Sequence, residues 1–255
     1  MFDRKSQKSR EAFVATTDAE IVQSPVCKTP NPWQCISMVQ ITYYLEVVSS
    51  WCFWSEPAWA ELKDRYKGRV NFDWKIALMP AGAFPVSKNQ CEWFYRRSGS
   101  IMGSPFMLNS GWFEPDLRPY LAANYIAQAA RNMGVTDDRA RLALSRAALR
   151  EGQKVGRWEI AAAAVAHATG LYEAELVRQA QSPEVAALTQ RTTAEFHALQ
   201  VTQRPAFLIE NSIGDRAVFS GVARDAPLMG AIDALLSDEA AYTSWNAHFG
   251  DPPKE

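Results

Sequence analysis

Residues 41–55 read ITYYLEVVSSWCFWS, an apolar run that leads into a cysteine set among aromatic residues. Residues 41–48 are almost continuously apolar and rich in β-branched and aromatic side chains, which is typical of a strand covered on both faces. Cys52 lies just past this run, where a helix is expected to begin. Free backbone N–H groups surround a sulfur at a helix N-terminus, and this placement lowers a thiol pKa toward neutrality. The pattern therefore predicts one reactive thiolate, at Cys52.

The motif Trp51-Cys52-Phe53-Trp54-Ser55 has a hydroxyl where a redox pair would have its second sulfur. A dithiol site reads Cys-x-x-Cys, so Cys-x-x-Ser excludes a self-contained dithiol cycle here. Ser55 either caps the helix, which is the favoured interpretation, or donates to the thiolate. The aromatic residues Trp51, Phe53 and Trp54 either pack in the core or line a binding site for an apolar substrate.

The segments that follow complete a strand, helix and strand. Trp59, Leu62 and Tyr66 fall on one face of a helix. Residues 70–78 then alternate apolar and polar side chains with the period of two that a strand requires.

The middle of the chain changes character. Residues 79–114 show no sustained period and predict a long loop. Residues 119–199 are rich in alanine and are punctuated by glycines, which predicts four or five helices. Strands are expected again at 206–209 and 217–219, and a closing helix after Asp225. The expected organisation is an N-terminal extension (1–38), a first half-domain (39–82), a loop and helical insertion (83–199), a second half-domain (200–240) and a C-terminal tail (241–255).

Composition limits the function classes. A chain of 255 residues with 47% hydrophobic residues can build one large domain. The net charge of −1 offers no basic field to nucleic acid or to an anionic membrane, so a small-molecule substrate is expected. The polar first residues carry no secretory signal and the four cysteines are too sparse for a secreted disulfide framework, which predicts a cytoplasmic location. No histidine falls in a metal-ligand spacing, so no metal is expected.

The combined pattern resembles the DsbA-like branch of the thioredoxin superfamily, which includes the kappa-class glutathione transferases and the 2-hydroxychromene-2-carboxylate isomerases. The resemblance rests on residues 51–55 after the first strand, on 204–209 at the third strand and on 219–221 before the last helix. It covers roughly residues 39–240. It implies an α/β thioredoxin fold with a central mixed sheet, interrupted by an all-helical insertion.

The resemblance also implies roles for residues far from the motif. Such folds place a cis-proline beside the reactive cysteine, and Pro205 falls at that position. Arg204 is then expected to meet a carboxylate of a thiol or substrate. Asp225 would contact the ammonium of a γ-glutamyl group, as in the kappa class, or serve as a plain helix cap.

Three functions follow from one thiolate without a resolving cysteine. The first is an oxidoreductase in which Cys52 is the nucleophile and glutathione or another low-molecular-weight thiol resolves it. Cys91, Cys27 or Cys35 are alternative resolving thiols, although each is first interpreted as a structural residue. The second function is a glutathione-dependent isomerase or transferase that acts on an aromatic or hydrophobic electrophile. The third is a non-catalytic binding module of the same fold. The sequence leaves a homodimer open.

Overall fold

The computed structural model describes residues 39–250 and 252–253. The predicted extension 1–38, with Cys27 and Cys35, lies outside the described residues. The elements are β1 (Gln40–Leu45), α1 (Ser50–Arg65), β2 (Asn71–Ile76), α2 (Lys88–Met102), α3 (Leu121–Asn132), α4 (Arg139–Leu149), α5 (Trp158–Thr169), α6 (Glu173–Ala180), α7 (Pro183–Ala198), β3 (Ala206–Glu210), β4 (Arg216–Ser220) and α8 (Ala226–Phe249).

The four strands form one mixed sheet in the order β2-β1-β3-β4. β1 and β2 are parallel, and α1 supplies the crossover that a parallel pair requires. β3 runs antiparallel to both β1 and β4. Helices α2 to α7 all lie between β2 and β3 in the chain, so the predicted interruption of the sheet by a helical insertion is confirmed.

Both faces of β1 are covered, as its continuously apolar sequence predicts. On one face Tyr43 stacks on Phe207 with ring centroids 4.8 Å apart, inside the main core. On the other face Tyr44 packs with Leu208 and with Phe196 of α7. The sheet is therefore held from both sides, and the end of β1 is a rigid place from which to project a functional loop.

The expected loop over residues 79–114 is wrong because it contains α2. The buried side of α2 is made of Cys91, Tyr95, Ser98 and Gly99. Ser98 is polar and Gly99 has no side chain, so large apolar residues do not recur on this face every three to four positions, which is the pattern that predicts a helix. The helix boundaries were nevertheless signalled, since Ser87 accepts a hydrogen bond from the N–H of Gln90 and Gly103 ends the helix at a φ of +66°.

The closing helix is longer than the sequence predicted. α8 continues to Phe249, so the expected tail 241–255 begins inside a helix. The segment contains no glycine or proline before Gly250, and nothing in its composition would end the helix earlier. Among the described residues, no helix combines the length and the apolarity that crossing a bilayer requires.

Candidate active site

Helix α1 begins at Ser50, two residues before Cys52, and Ser49 is its cap. Ser49 has extended backbone angles, and its Oγ accepts a hydrogen bond from the N–H of Cys52 at 3.4 Å. Within the described part of the chain, the N–H groups of Ser50 and Trp51 have no acceptor, as expected for a first helical turn. The positive end of the helix dipole therefore faces the Ser49 hydroxyl.

Cys52 is the third residue of the helix, and its side chain is buried where the sequence predicted an accessible thiolate. The residue is only 3% exposed. Burial raises the pKa of its thiol to about 11, although hydrogen bonds from the main chain of Glu46 and from the Ser49 hydroxyl favour the thiolate. A cysteine in this state is a poor nucleophile at neutral pH. The catalytic role assigned to Cys52 stays a prediction, and it needs a conformation in which the sulfur is uncovered.

Ser55 lies on the far side of Cys52 from the helix start. It is fully buried, and its hydroxyl donates to the carbonyl of Cys52 at 2.8 Å. The same oxygen lies 2.8 Å from the hydroxyl of Tyr43. The expected helix cap at Ser55 is therefore wrong, since Ser49 has that position. Ser55 instead ties α1 to β1.

The serine and cysteine pair at the helix N-terminus is thus Ser49-Ser50-Trp51-Cys52. Two residues separate Ser49 from Cys52, as two residues separate Cys52 from Ser55 in the motif singled out from the sequence. The pair at the helix start therefore lies three residues closer to the N-terminus than that motif. Sequence reasoning missed it because the helix start was placed at the aromatic residues. The available signal was a serine directly after an apolar strand, which is a preferred helix cap.

A cavity of about 300 Å³ opens in front of Ser49. We call it the Ser49 cavity and define it by Ser49, Trp51, Phe94, Arg97, Trp112 and Gln203. Its walls thus come from the start of α1, from α2, from the segment between α2 and α3, and from the loop before β3. Of the described residues that line it, none is an aspartate or a glutamate, and two are arginines. The cavity is therefore suited to an anion.

The loop before β3 supplies main chain to this cavity. The Arg204–Pro205 peptide bond is cis, at the position where the resemblance implies a cis-proline. Thr202, Gln203 and Arg204 all line the cavity opposite Ser49. Among the described residues, the N–H and C=O of Arg204 have no hydrogen-bond partner. They are free to pair with an extended peptide ligand, as an added strand would.

The Arg204 side chain does not have the expected role of meeting a ligand carboxylate. The residue is 7% exposed, and its Nε and Nη2 donate to the carbonyls of Ala77 and Leu78 at 2.5 and 2.7 Å. Its Nη1 donates to the carbonyl of Thr202 at 3.2 Å. The guanidinium therefore ties the cis-proline loop to the end of β2. This use depends on tertiary contacts that no local sequence pattern reveals.

A buried carboxyl lies behind the Ser49 cavity. Glu46 is 1% exposed, accepts a hydrogen bond from the N–H of Met79 at 3.0 Å, and accepts another from the amide of Asn124. Burial raises its pKa to about 7, while these hydrogen bonds and the nearby Arg204 favour the charged form. Sequence reasoning did not single out Glu46, because an acid inside an apolar strand carries no motif.

The other predicted ligand residues line a different and larger space. A groove of about 1140 Å³ is bordered by Phe53, Met102, Phe106, Leu142, Arg150 and Asp225, and we call it the Phe53 groove. Trp54 also lines it, but the residue is 8% exposed and its indole N–H donates to Ser98 at 3.0 Å. The predicted ligand residues therefore lie at two places. Trp51 and Arg204 line the Ser49 cavity, and Phe53, Trp54 and Asp225 line the Phe53 groove.

Asp225 precedes α8 and borders the Phe53 groove, but its side chain makes no capping hydrogen bond. Asp225 therefore occupies the predicted cap position of α8 without the side-chain hydrogen bond of a cap, and the contact with a γ-glutamyl ammonium stays a prediction. Cys91 is fully buried and burial raises its pKa, so it is not an available second thiol in this conformation. In the described ranges, no group of three His, Cys, Asp or Glu side chains is arranged to hold a metal ion.

No family model matches this chain, and no curated protein matches it either. Solved structures do match. The candidate protein disulfide isomerase of Nitrosomonas europaea superposes with a TM-score of 0.62 at 17% identity, over 78% of this chain and 98% of that one. The cytosolic disulfide reductase DsbM of Pseudomonas aeruginosa gives a TM-score of 0.56 at 17% identity, over 80% and 98% of the two chains. DsbM has also been solved with GSH.

DsbA of Pseudomonas aeruginosa gives a TM-score of 0.52 at 14% identity, over 85% of this chain and 92% of that one. At these identities the likeness shows the fold alone. The predicted fold class, a mixed sheet interrupted by an all-helical insertion, is confirmed.

Proposed function

Because the described residues form a DsbA-like thioredoxin fold whose first helix is capped by a serine, we propose that the protein is a glutathione-dependent transferase or isomerase. The thiolate is supplied by a bound small thiol such as glutathione, and the protein holds that sulfur beside Ser49. One observation carries the proposal: at the start of α1 it is Ser49 that lines the cavity, whereas Cys52 does not line it and is buried with a pKa of about 11.

The start of α1 can stabilise a thiolate that comes from outside. The unpaired N–H groups of Ser50 and Trp51 and the hydroxyl of Ser49 lie at the positive end of the helix dipole. Hydrogen bonding to the charged form lowers the pKa of an acid. A bound thiol is therefore expected to ionise at neutral pH, which the sulfur of Cys52 does not.

The Ser49 cavity fits the rest of such a thiol. Its volume of about 300 Å³ lies at the lower end of the usual range for ligand pockets, roughly 300–1,000 Å³. The free main-chain groups of Arg204 can pair with the peptide bonds of the ligand. The absence of acidic side chains among its described lining residues favours a ligand that carries carboxylates.

The chemistry follows from a thiolate held at the start of α1, the helix that borders both the Ser49 cavity and the Phe53 groove. In a transfer reaction the sulfur forms a bond to an electrophilic carbon, the leaving group departs with its bonding electrons, and the product is a thioether. In an isomerisation the thiolate instead adds to a conjugated double bond, whose electron pair moves to the adjacent atom. After rotation about the resulting single bond, that electron pair re-forms the double bond and expels the thiolate, so that the thiol is regenerated. The Phe53 groove, with Phe53 and Phe106 in its walls, offers aromatic surface for the hydrophobic electrophile.

The test is the ionisation of bound glutathione in the full chain. Thiolate absorbance in the ultraviolet, followed as a function of pH, is expected to show a lowered thiol pKa with the wild-type protein and with Cys52→Ala. Ser49→Ala is expected to weaken thiolate binding roughly tenfold, the size of a hydrogen bond to a charged group. Binding that depends on Cys52 and not on Ser49 would overturn the proposal.

A second candidate function is the single-thiol oxidoreductase, in which Cys52 itself reacts. The observation in its favour is that the Ser49 hydroxyl acts to lower the pKa of the Cys52 thiol, so that opening the first turn of α1 would uncover a nucleophile. Incubation with oxidised glutathione separates the two functions. A mixed disulfide on Cys52, detected by mass, would favour this second function, and an unmodified Cys52 favours the first.

We also propose a cytoplasmic location, because a site that uses a free thiol needs a reducing compartment. The few cysteines of the chain support this proposal. Fractionation of cells, with immunodetection of the protein, tests it directly.

A further inference from the structure

Arg97 stands at the mouth of the Ser49 cavity without an acidic partner. It belongs to α2, and its guanidinium lies 5.0 Å from the ring centroids of both Trp93 and Phe94. Over the described part of the chain, no ion pair and no hydrogen bond joins this guanidinium to another group. Its donors are therefore free for a ligand, while the two rings restrict where the side chain can lie.

The second arginine of the cavity is not available in the same way. Arg204 is buried and uses its donors on the carbonyls of Ala77, Leu78 and Thr202. It also lies within electrostatic range of the buried Glu46. Arg97 is thus the cation of this cavity that can form a new ion pair.

We propose that Arg97 binds a carboxylate of the small thiol and selects anionic peptide thiols, such as glutathione, over neutral thiols. This inference rests on the proposed function and deepens it by naming the anchor for the ligand. An arginine fork pairs with a carboxylate through two parallel hydrogen bonds, which fixes orientation as well as charge. With the sulfur beside Ser49 and a carboxylate on Arg97, the ligand is held at two separated points of one cavity.

The chain offers a matched control at the neighbouring position. Arg96 is exposed on the same helix but lines a different surface depression, together with Lys88 and Glu92. Arg96→Gln and Arg97→Gln therefore remove the same charge from the same helix, and only Arg97→Gln removes it from the Ser49 cavity.

Isothermal titration of the full chain with reduced glutathione and with its diethyl ester tests the inference. The wild-type protein is expected to bind the acid more tightly than the ester, by roughly three- to tenfold, the usual range for a partly exposed ion pair with good geometry. Arg97→Gln is expected to bring the two affinities together by weakening the acid alone. Arg96→Gln is expected to keep the wild-type ratio.

Two results would overturn the inference in distinguishable ways. If the wild-type protein binds glutathione and Arg97→Gln keeps the preference for the acid, or Arg96→Gln loses it equally, the anchor is not Arg97 while the proposed function stands. If the wild-type protein binds neither the acid nor the ester, the proposed function and the anchor both fail.

Discussion

Helix α1 borders two cavities of unequal size and unlike chemistry. The Phe53 groove is nearly four times the volume of the Ser49 cavity, about 1140 against 300 Å³, and holds both acids and arginines, among them Asp225 and Arg150. The Ser49 cavity is small, holds no acid among its described lining residues, and faces the start of the helix. Size therefore does not identify the reactive end of this helix; the unpaired N–H groups do.

The same contrast separates the two serines that flank Cys52. Ser49 lies at the cavity and faces unpaired donors, whereas Ser55 is fully buried and satisfied by Cys52 and Tyr43. The proposed function assigns Ser49 to the chemistry, whereas the contacts of Ser55 assign it to the stability of the fold.

The largest effect is expected from the two serine substitutions. Ser49→Ala removes a donor to the developing charge, and such losses lower turnover by roughly a hundredfold to a thousandfold. Ser55→Ala is expected to leave turnover within about threefold and to lower the free energy of unfolding by about 1–3 kcal/mol, since a buried hydroxyl network is broken. Glutathione conjugation of chlorodinitrobenzene and urea denaturation measure the two quantities.

The control for this pair is Ser49→Thr, which keeps both the hydroxyl and the helix cap. It is expected to retain most of the turnover that Ser49→Ala loses. If Ser55→Ala lowered turnover as much as Ser49→Ala, the division between the two serines would be wrong.

A pH effect on stability is expected from Glu46, behind the Ser49 cavity. Its pKa is about 7 in the folded protein against an ordinary 4.5, so between these values the folded chain keeps a proton that the unfolded chain has released. Stability then falls as the pH rises through this window, by up to about 3 kcal/mol, and changes no further above it. Denaturation at pH 4.5 and at pH 8 should show this loss in the wild-type protein.

Glu46→Gln has no proton to lose and is expected to remove most of that loss. Because the amide oxygen can still accept from the N–H of Met79, the fold is expected to be kept. An equal loss of stability in the variant would show that another group titrates in this window.

Thiol labelling tests the burial of Cys52. In a chain with Cys27→Ser and Cys35→Ser, only Cys52 and Cys91 remain, and both are buried. With a pKa of about 11, Cys52 carries roughly a hundredfold less thiolate near pH 8 than an ordinary cysteine. Iodoacetamide is therefore expected to label neither residue in the native protein and both in guanidinium. Rapid native labelling of Cys52, located by peptide mass, would contradict the structure of this turn.

The smallest effect concerns the Phe53 groove. Phe53→Ala is expected to raise KM for the aromatic electrophile roughly three- to tenfold through lost apolar contact, with kcat little changed. The affinity for glutathione should stay within about twofold, because the Ser49 cavity is untouched. A matching loss of glutathione affinity in Phe53→Ala would show that the two cavities act as one binding site.

Much of the fold could be predicted because its elements carry local signals. The apolar run of β1, the alternation of β2 and the glycine-bounded helices of the insertion each reflect a physical period. α2 was missed because Cys91, Ser98 and Gly99 form its buried face, and these residues do not mark a period. The closing helix extends into the predicted tail because residues 231–249 contain no glycine or proline to end it.

The candidate site could be located from the sequence but not resolved. The strand end and Pro205 pointed to the right part of the molecule, yet the helix start was placed at Cys52 rather than at Ser50, and Ser49 was overlooked. The roles of Arg204 and Glu46 depend on contacts with residues 77–79 and with Asn124, which are remote in sequence. Such contacts leave no local pattern to read.

The source of the reacting sulfur is tested most directly by the turnover of Cys52→Ala in the glutathione conjugation assay. The account predicts a rate within about threefold of the wild-type rate, since the ligand brings the thiolate and Cys52 only fills space behind Ser49. Loss of turnover in Cys52→Ala, with Ser49→Ala still active, would contradict it and would place the nucleophile on the protein.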